Sequence, residues 1–430
     1  MKINLNWKVF LLLPLIGITI WSFSTPTKAG FANLTISLKS LGQISGILGI
    51  TLFSTDLILS ARFKFLERYF KGLDKIYRYH HLIGGISFIL LLFHPLLLAL
   101  NYSFTDAKLA LSLFLISKDL SINMGIISLS TMIIILVLTF FLKEKIAYQN
   151  WKLSHKLLGI IFLPGFFHSI TAIPNAEKII PLKIYILVIG SLGIFSYLYG
   201  SIFKKWLIKK TICHIASLRW LKENVLEIEL FCQENHFNFI PGQFIFISFK
   251  NKDTGFEKHP FSITSGDSEK TLKIAVKKTG DYTSKLGYLK IGDEAEIEGP
   301  YGHFYSNQKK DEIWIAGGIG IAPFVSKMRS FKGSSENKII LFYSVKDKND
   351  LVFENEIKKA GYLNKNFESK IHFSKENGRL TAQLVKDFVK DLNDKNIFIC
   401  GPVKMIEDFE NSFLKIGIRK EQIFSEKFQF

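Results

Sequence analysis

The sequence predicts a multi-domain membrane protein: a six-helix transmembrane bundle, then an antiparallel β-barrel, then an α/β domain on a parallel sheet. Three observations predict it. Mean hydropathy over the 430 residues is +0.21, which is high for a protein that lies wholly in water. Long apolar runs occupy the first 210 residues, and short β-like runs followed by strand–loop–helix repeats occupy the rest. We therefore expect domains at 1–210, 211–305 and 306–430.

Each of six apolar runs is long enough to cross a bilayer, which takes about 20 helical residues. The runs cover 7–23, 41–61, 79–100, 120–142, 153–174 and 182–203. Lys2 and Lys8 precede or open the first run, as in a signal peptide, but no clean small-residue cleavage site follows it. We expect an uncleaved first helix.

The distribution of positive charge indicates how these helices are oriented. Residues 1–210 hold 22 Lys+Arg and 7 Asp+Glu, a net charge of +15, whereas residues 211–430 hold 33 and 30, a net charge of +3. One set of loops, which includes 62–78, 143–152 and both flanks of the bundle, carries 15 cations, and the opposite loops carry six. By the positive-inside rule, both chain ends face the cytoplasm at the plasma membrane. Because the excess charge lies between apolar runs, no nucleic-acid partner is expected.

The three cysteines, Cys213, Cys232 and Cys400, exclude several kinds of site. They are too few for a disulfide scaffold, and none lies in the apolar half, where a membrane cofactor would sit. We exclude a cysteine-ligated iron–sulfur cluster and an all-cysteine zinc site for the same reason.

Histidines in the apolar half follow a paired pattern. His80 and His94 bracket the third apolar run, and His155 and His168 bracket the fifth. Both helices would run from the cytoplasm outward, so His80 lies level with His155 and His94 with His168, with about 20 Å between the levels. An unpartnered imidazole in a membrane is costly, and haem iron takes two axial histidines. We expect two stacked b-type haems.

The second helix of the pair has the less regular spacing. His80 and His94 are fourteen residues apart, so on an ideal helix their side chains point within roughly 40° of the same direction. His155 and His168 are thirteen residues apart, so their directions differ by about 140°. Pro164 removes a backbone donor four residues before His168, so we expect a local distortion there. His81 stays an alternative ligand to His80. Cations that could pair with haem propionates, although topology alone also explains them, are Arg62, Arg78 and Lys152.

Two motifs in the predicted barrel suit a flavin. The first is the run of His259, Pro260, Phe261 and Ser262, in which the aromatic ring could pack on the flavin and the hydroxyl could reach its reactive nitrogen. Taken alone, this run is equally a strand end. In the second motif, Gly280 and backbone donors could meet a diphosphate, and Thr283 could add a hydroxyl.

The predicted α/β domain contains a glycine loop between a strand and a helix. Its glycines, Gly317, Gly318 and Gly320, could admit a pyrophosphate at the start of a helix in which Pro323 occupies the first turn. Packing is the other common use of such glycines.

Three further sites follow in the α/β part. Ser344 and Lys346 end a strand and suit the 2′-phosphate of NADPH, although a plain charged loop is the alternative. The run of Cys400, Gly401 and Pro402 ends another strand, where the thiol could border a nicotinamide or belong to the core. Near the C-terminus, Phe428 could cover the flavin and yield to the nicotinamide.

In this order and spacing, the motifs of residues 211–430 resemble the ferredoxin–NADP reductase superfamily. With the histidine pairs ahead of them, the whole chain resembles the NADPH oxidase and ferric reductase family, most of all its bacterial, Streptococcus-type branch. The resemblance implies six helices, two bis-histidine haems, FAD, NADPH as co-substrate and superoxide formed outside. It also implies catalytic roles for Ser262 and Phe428 beside the flavin and for Cys400 beside the nicotinamide.

Three departures from the family pattern refine this expectation. His259 and Phe261 stand where the broader reductase superfamily has Arg and Tyr, as is usual in the oxidase branch. No calcium-binding loop precedes the first helix, so calcium control is not expected. Leu98 stands where animal oxidases carry another histidine.

The sequence therefore predicts an electron relay from NADPH through FAD and the two haems to oxygen, with no obligatory protein partner. Three alternatives stay open: a reductase of Fe(III) or Cu(II) chelates, a haem subunit that feeds a partner protein, and a flavin reductase merely anchored to lipid. The outer loops offer few candidate metal ligands, which favours oxygen mildly; they are Asp106, Asp119 and Glu177.

Overall fold

The structure, a computed structural model, describes residues 5–24, 34–70, 72–141, 148–173, 176–203, 210–232, 237–304 and 309–427. The chain divides into two compact units, Met1–Leu207 and Ile208–Phe430. The domain limits expected at 210 and 305 stay predictions.

The first unit is a helical bundle. Its α-helices in the described part of the chain are α1 (Leu5–Ser24), α2 (Leu34–Ser60), α3 (Lys64–Phe70), α4 (Leu73–Ser103), α5 (Ala107–Ser112), α6 (Leu120–Phe141), α7 (Tyr148–Thr171) and α8 (Ile180–Leu198). Five of these are long and apolar enough to cross a membrane, and α1 contributes a shorter apolar stretch, Phe10–Ser24. The predicted bundle of six long helices is confirmed, with α3 and α5 as short connectors.

Helix α2 lies at the centre of this bundle. Its side chains Ile50 and Phe53 belong to the buried apolar cluster. The buried hydroxyls of Thr51, Ser54 and Thr55 donate to carbonyl oxygens of the preceding turn, so no water is needed to satisfy them. Gly193 of α8 lets the two backbones approach, since an added Cβ would lie 3.1 Å from the Cα of Ser54. In contrast, α4, α6 and α7 expose most of their apolar surface, as lipid-facing helices do.

The second unit begins with a six-stranded antiparallel sheet. Its strands are β1 (Thr211–Lys222), β2 (Val225–Cys232), β3 (Phe244–Phe249), β4 (His259–Ser262), β5 (Leu272–Lys277) and β6 (Glu294–Tyr301), in the order β4-β3-β6-β1-β2-β5. A bridge between Ile263 and Ile274 connects the two edges, so the sheet curls into a barrel, and the short helix α9 (Asp281–Lys285) follows β5. The predicted barrel is confirmed.

A five-stranded parallel sheet completes the unit. Its strands are β7 (Glu312–Gly317), β8 (Ile339–Val345), β9 (Phe367–Phe373), β10 (Asn396–Cys400) and β11 (Ile423–Glu426), in the order β11-β10-β7-β8-β9. Helices α10 (Ala322–Arg329), α11 (Glu354–Leu363), α12 (Ser374–Asn377), α13 (Ala382–Val389) and α14 (Val403–Lys415) connect them. Apolar clusters cover both faces of the sheet, which confirms the predicted α/β domain. The strand order reverses between β7 and β10, and such a switch point opens a crevice at the carboxyl ends of the strands.

An ion network connects the barrel to the α/β part. Arg329 of α10 reaches Glu227 of β2 at 2.8 Å and Glu356 of α11 at 2.7 Å, and it also donates to the carbonyl oxygen of Thr264. The Glu227 side chain is 6% exposed and that of Arg329 is 13% exposed. A buried charge needs such partners, so the network fixes how the two sheets pack.

One disulfide, between Cys213 and Cys232, joins β1 to β2. The sequence analysis did not predict this pair, because the residues are 19 apart and only the hairpin register sets them directly opposite each other. A single bridge is still not a disulfide scaffold. Pairs of this kind are reduced in most cytosolic proteins.

Candidate functional site

The four predicted haem ligands meet as two facing pairs. The ring centres of His80 and His155 lie 5.8 Å apart, and those of His94 and His168 lie 6.2 Å apart. Helix α4 carries one member of each pair and α7 the other. The ring centre of His81 lies 5.6 Å from that of His80, with the two rings tilted, and it is the ring of His80 that faces His155.

The ring nitrogens of these histidines have distinct partners. Nδ1 of His94 donates to the carbonyl oxygen of Gly42 at 2.7 Å, and Nδ1 of His168 donates to that of Ser121 at 2.8 Å. A histidine that donates from Nδ1 presents the lone pair of Nε2, and haem and metal sites use this arrangement. The hydrogen bonds therefore set the tautomer that a ligand needs.

The inner pair is supported differently. Nδ1 of His80 lies 2.8 Å from Oδ1 of Asp56, at ion-pair distance but without the geometry of a hydrogen bond. Nδ1 of His155 is buried without a hydrogen-bond partner in the described part of the chain, and the ring of Trp151 stacks on the His155 ring at 5.5 Å. Asp56 is itself a buried carboxylate on α2.

Helix α7 runs continuously from Tyr148 to Thr171, through Pro164, where we expected a distortion. The ring of His168 lies against Gly125 of α6, at which an added Cβ would be 3.1 Å from the ring. This side-chain placement, rather than a break in the helix, brings His168 to His94.

The space around the outer pair suits a large flat group. A cavity of about 1070 Å³ is lined by both outer histidines and by apolar residues of six helices. Gly46 faces the His94 ring so closely that an added Cβ would lie 2.7 Å from its Nδ1. Cavities that hold small ligands usually measure about 300–1,000 Å³. A porphyrin therefore has room here.

The residues present fit bis-histidine haem ligation. With metal–imidazole bonds of about 2 Å on each side, two axial rings have centres roughly 6 Å apart, close to both observed separations. Within the described ranges, no three His, Cys, Asp or Glu side chains group as a metal site. A porphyrin supplies four nitrogens of its own, so haem needs only two protein ligands at each level.

The two predicted flavin motifs come together in the barrel. Residues 259–262 form β4, and the ring of His259 stacks on that of Tyr282 in α9 at 3.7 Å. Glu257 accepts from Nε2 of the same histidine at 2.9 Å. Burial, and then the nearby Glu257, raises the pKa of the Tyr282 hydroxyl, which stays protonated. Phe261 and Ser262 are half-buried at the end of the motif.

In the second flavin motif, some polar groups form hydrogen bonds with one another. Gly280 begins α9, and the hydroxyl oxygen of Thr283 accepts from the N–H groups of Thr279 and Gly280, both at 3.0 Å. This cap occupies donors that we assigned to a diphosphate. No atom lies within 4 Å of the position that a Cβ on Gly280 would take, so the approach to this turn is open.

The glycine loop and the Cys-Gly-Pro run lie side by side, because β7 and β10 are neighbours in register. An added Cβ on Gly320 would lie 2.4 Å from the carbonyl oxygen of Cys400, and one on Gly317 would lie 2.5 Å from the sulfur of Met405. These two glycines therefore serve close packing. Gly318, with φ of +54° and nothing within 4 Å of an added Cβ, is the one that faces open space.

The remaining predicted residues surround this crevice. Pro323 lies in the first turn of α10, and Gly401 and Pro402 lead from β10 into α14. Cys400 is buried, and burial together with the charge of Glu426 on β11 raises the pKa of its thiol. Ser344 is half-buried at the end of β8, next to Gly317, whereas Lys346 is exposed. Phe428 lies outside the described residues.

Sequence reasoning missed three residues that lie against the predicted site: Asp56, Tyr282 and Glu426. Asp56 carried a signal, since a carboxylate inside an apolar run is expensive unless it has a partner. Tyr282 was inside the second motif, but its role depends on the position of His259. Glu426 is brought beside Cys400 only by the pairing of β10 with β11.

Comparison with known families gives the same order of parts. Residues 45–166 match the ferric reductase like transmembrane component, residues 211–305 match an FAD-binding domain, and residues 314–411 match an oxidoreductase NAD-binding domain. The chain belongs to the ferric reductase and NADPH oxidase family. As such it is a multi-pass membrane protein, with an FAD-binding domain and an oxidoreductase NAD-binding domain after the membrane part.

The relatives of this ferric reductase family member match its second half. A probable dihydroorotate dehydrogenase B (NAD(+)) electron transfer subunit of Pyrococcus furiosus is 31% identical over 211 residues, 44% of this chain and 76% of that protein. Flavohemoprotein A of Dictyostelium discoideum is 27% identical over 209 residues, again 44% of this chain. The chain matches about half, 52%, of the length of that flavohemoprotein.

Solved structures match the same half of the family member. The flavohem-like FAD/NAD binding domain of nitric oxide dioxygenase from Vibrio cholerae is 17% identical, with a TM-score of 0.45, and covers 50% of this chain and 97% of that one. Ferredoxin-NADP+ reductase from Plasmodium falciparum is 19% identical, with a TM-score of 0.43, and covers 52% and 98%.

Proposed function

We propose that this protein passes electrons from cytosolic NADPH through FAD and two b-type haems to oxygen on the opposite side of the membrane, forming superoxide. The observation that carries the proposal is the pair of facing histidine couples, at 5.8 and 6.2 Å, on one chain with FAD-binding and NAD-binding domains. A transmembrane electron relay from NADPH requires a hydride acceptor and one-electron carriers, and this chain would contain both.

Four histidines would hold the haems, with His80 and His155 at the inner level and His94 and His168 at the outer level. Bound haem supplies a one-electron carrier at each level. The chain's part is to orient the rings through their Nδ1 partners and to leave space with glycine at the outer level. The apolar lining of the cavity keeps water from the electron path.

In the second unit, FAD supplies the conversion between the hydride of NADPH and single electrons. Phe261 and Ser262 would lie along the flavin, with Gly280 near its diphosphate. The crevice between β7 and β10 would take the nicotinamide nucleotide, with Gly318 exposed to the pyrophosphate and Cys400 at the floor. Ser344 and Lys346 would read the 2′-phosphate, and Phe428 would cover the flavin.

Two acidic residues on the outer side support oxygen over a metal chelate as the acceptor. Asp106 accepts from the N–H groups of Lys108 and Leu109, and Asp119 accepts from that of Ser121. These carboxylates cap helix ends, so they are engaged within the chain. His94 and His168 would hold the outer haem between them, and the bound group would supply single electrons for the reduction of oxygen.

Reduction of ferric chelates is the second candidate, favoured by the match of residues 45–166 to a ferric reductase like component. The proposal also includes cytoplasmic termini at the plasma membrane, from the charge of the loops, and no obligatory protein partner.

The test is an absorption spectrum of the purified full-length protein before and after NADPH, under argon and under air. We expect a Soret band that shifts on reduction under argon and returns on admission of air with superoxide released. His168→Leu should lose the outer haem and oxygen reduction, whereas His214→Leu, a histidine outside both pairs, should keep both. A protein without a Soret band contradicts the relay, and turnover with Fe(III) chelate but not oxygen favours the second candidate.

A further inference from the structure

Asp56 is the one acidic side chain that touches a proposed haem ligand in the described part of the chain. It lies on α2, the most buried of the long helices, and is itself 7% exposed. An ionisable residue inside a membrane helix is expensive and is kept where it has a function. The relay described above does not require it.

The bundle makes room for this carboxylate. Gly84, one turn after His80 on α4, lies so close that an added Cβ would be 3.1 Å from Oδ2 of Asp56. The other oxygen, Oδ1, is 2.8 Å from Nδ1 of His80. Glycine at 84 therefore lets α2 and α4 approach far enough for the carboxylate to reach the ring.

The partners of the other three histidines differ from this one. His94 and His168 donate to neutral backbone carbonyls, and Nδ1 of His155 has no hydrogen-bond partner among the described residues. Among the described residues, direct contact between a carboxylate and one of these rings occurs only at the inner level, whereas Asp119 acts on His168 from a greater distance. A carboxylate that accepts from a ligating histidine makes the ring more basic and stabilises the higher oxidation state of the metal.

We propose that Asp56 is a positioning residue for His80, and that its charge sets the inner haem at a lower midpoint potential than the outer haem. This proposal about Asp56 rests on the proposed bis-histidine haems. The carboxylate lies against Nδ1 of His80, which leaves Nε2 for the iron, and its charge makes the imidazole a stronger electron donor. Electron transfer from the inner to the outer level then runs downhill, so the direction of the relay is built into the ligand support.

The test is a redox titration of the purified full-length protein, followed by haem absorbance, for the wild type, Asp56→Asn, Asp56→Glu and Asp106→Asn. Asparagine keeps an acceptor but removes the charge. We expect Asp56→Asn to raise the midpoint potential of the lower-potential haem by about 59 mV. At a fixed potential, this change lowers the ferric-to-ferrous ratio of that haem about tenfold for a one-electron step. The higher wave should not move. Asp56→Glu, which keeps the charge, and Asp106→Asn, which removes an acid elsewhere, should leave both waves in place.

The outcomes separate the two proposals. Two haems with unchanged potentials in Asp56→Asn overturn the role of Asp56 and leave the relay standing. Loss of the inner haem from Asp56→Asn but not from Asp56→Glu supports the positioning role, whereas loss from both overturns the role of the charge. A wild-type protein that binds no haem pair removes the relay itself.

Discussion

At the scale of single residues, the second ring nitrogen distinguishes the two histidine pairs. Backbone carbonyls of Gly42 and Ser121 accept from the outer histidines, and the carboxylate of Asp56 lies against His80 of the inner pair. A carbonyl is neutral and cannot be removed by substitution, whereas a carboxylate adds charge. The same kind of ligand can therefore have different electronic properties at the two depths.

Gly320 provides a second test at this scale. An alanine there would place a Cβ 2.4 Å from the carbonyl oxygen of Cys400, against backbone that cannot move aside. We expect Gly320→Ala to lower the free energy of unfolding by about 1–3 kcal/mol or more and to weaken NADPH-dependent flavin reduction. Thermal unfolding followed by flavin fluorescence measures the first effect.

The control is Gly361→Ala, at a helical glycine of α11 where nothing lies within 4 Å of an added Cβ. It should leave stability unchanged or raise it by about 0.5–1 kcal/mol. Equal stability of Gly320→Ala and the wild type would contradict the close packing of position 320 against the carbonyl oxygen of Cys400.

Lys346 tests the choice of nucleotide. Its exposed ammonium group follows β8, next to half-buried Ser344. A charge-assisted hydrogen bond contributes about 1.5–3 kcal/mol, so Lys346→Ala should raise KM for NADPH by roughly tenfold or more and leave KM for NADH nearly unchanged. Steady-state rates with both nucleotides give the comparison. An equal rise for both would mean that Lys346 does not read the 2′-phosphate.

At the scale of elements, the packing of the barrel against the α/β sheet depends on few groups. Arg329 of α10 contacts carboxylates of β2 and α11, at Glu227 and Glu356. Two of the chain's main functional surfaces, the flavin barrel and the nucleotide crevice, belong to the elements that this network joins. Its geometry is therefore a condition for hydride transfer as well as for stability.

Arg329→Met should destabilise the protein by about 3–5 kcal/mol, because it removes the buried cation of the network and leaves Glu227 paired with Arg219, whose side chain is 59% exposed. Chemical denaturation monitored by flavin fluorescence measures the change. Lys309→Met is the matched control, since Lys309 pairs with Glu336 on the surface, with side chains 79% and 77% exposed. Lys309→Met should lower the free energy of unfolding by no more than about 1 kcal/mol. Similar losses for both variants would argue against a special role for the buried network.

At the scale of the whole molecule, the relay has a direction only if the two faces of the membrane are distinct. The excess of lysine and arginine on one set of loops provides that distinction. Because the native cysteines all follow residue 210, an introduced cysteine in the bundle can report its side of the membrane.

We expect an impermeant maleimide added to intact cells to label Thr105→Cys, in the exposed segment after α4, but not Phe65→Cys, in exposed α3. Both should react after the membrane is opened, which shows that the thiols are accessible. Labelling of Phe65→Cys in intact cells would show that the orientation is the opposite of the expected one and that the second unit lies outside the cell.

The six apolar helices, the barrel and the parallel sheet follow from the amino-acid sequence alone, because hydrophobic period and length are local properties that do not depend on tertiary contacts. The sequence also indicated the histidine levels, since helical rise converts residue number into depth.

Only the tertiary structure decided which groups stand behind those histidines and which glycines serve packing. Asp56 reaches His80 from another helix, Tyr282 stacks on His259 from beyond β5, and Cys213 meets Cys232 through strand register. Contacts between residues distant in sequence depend on how elements pack, and no local pattern contains that geometry.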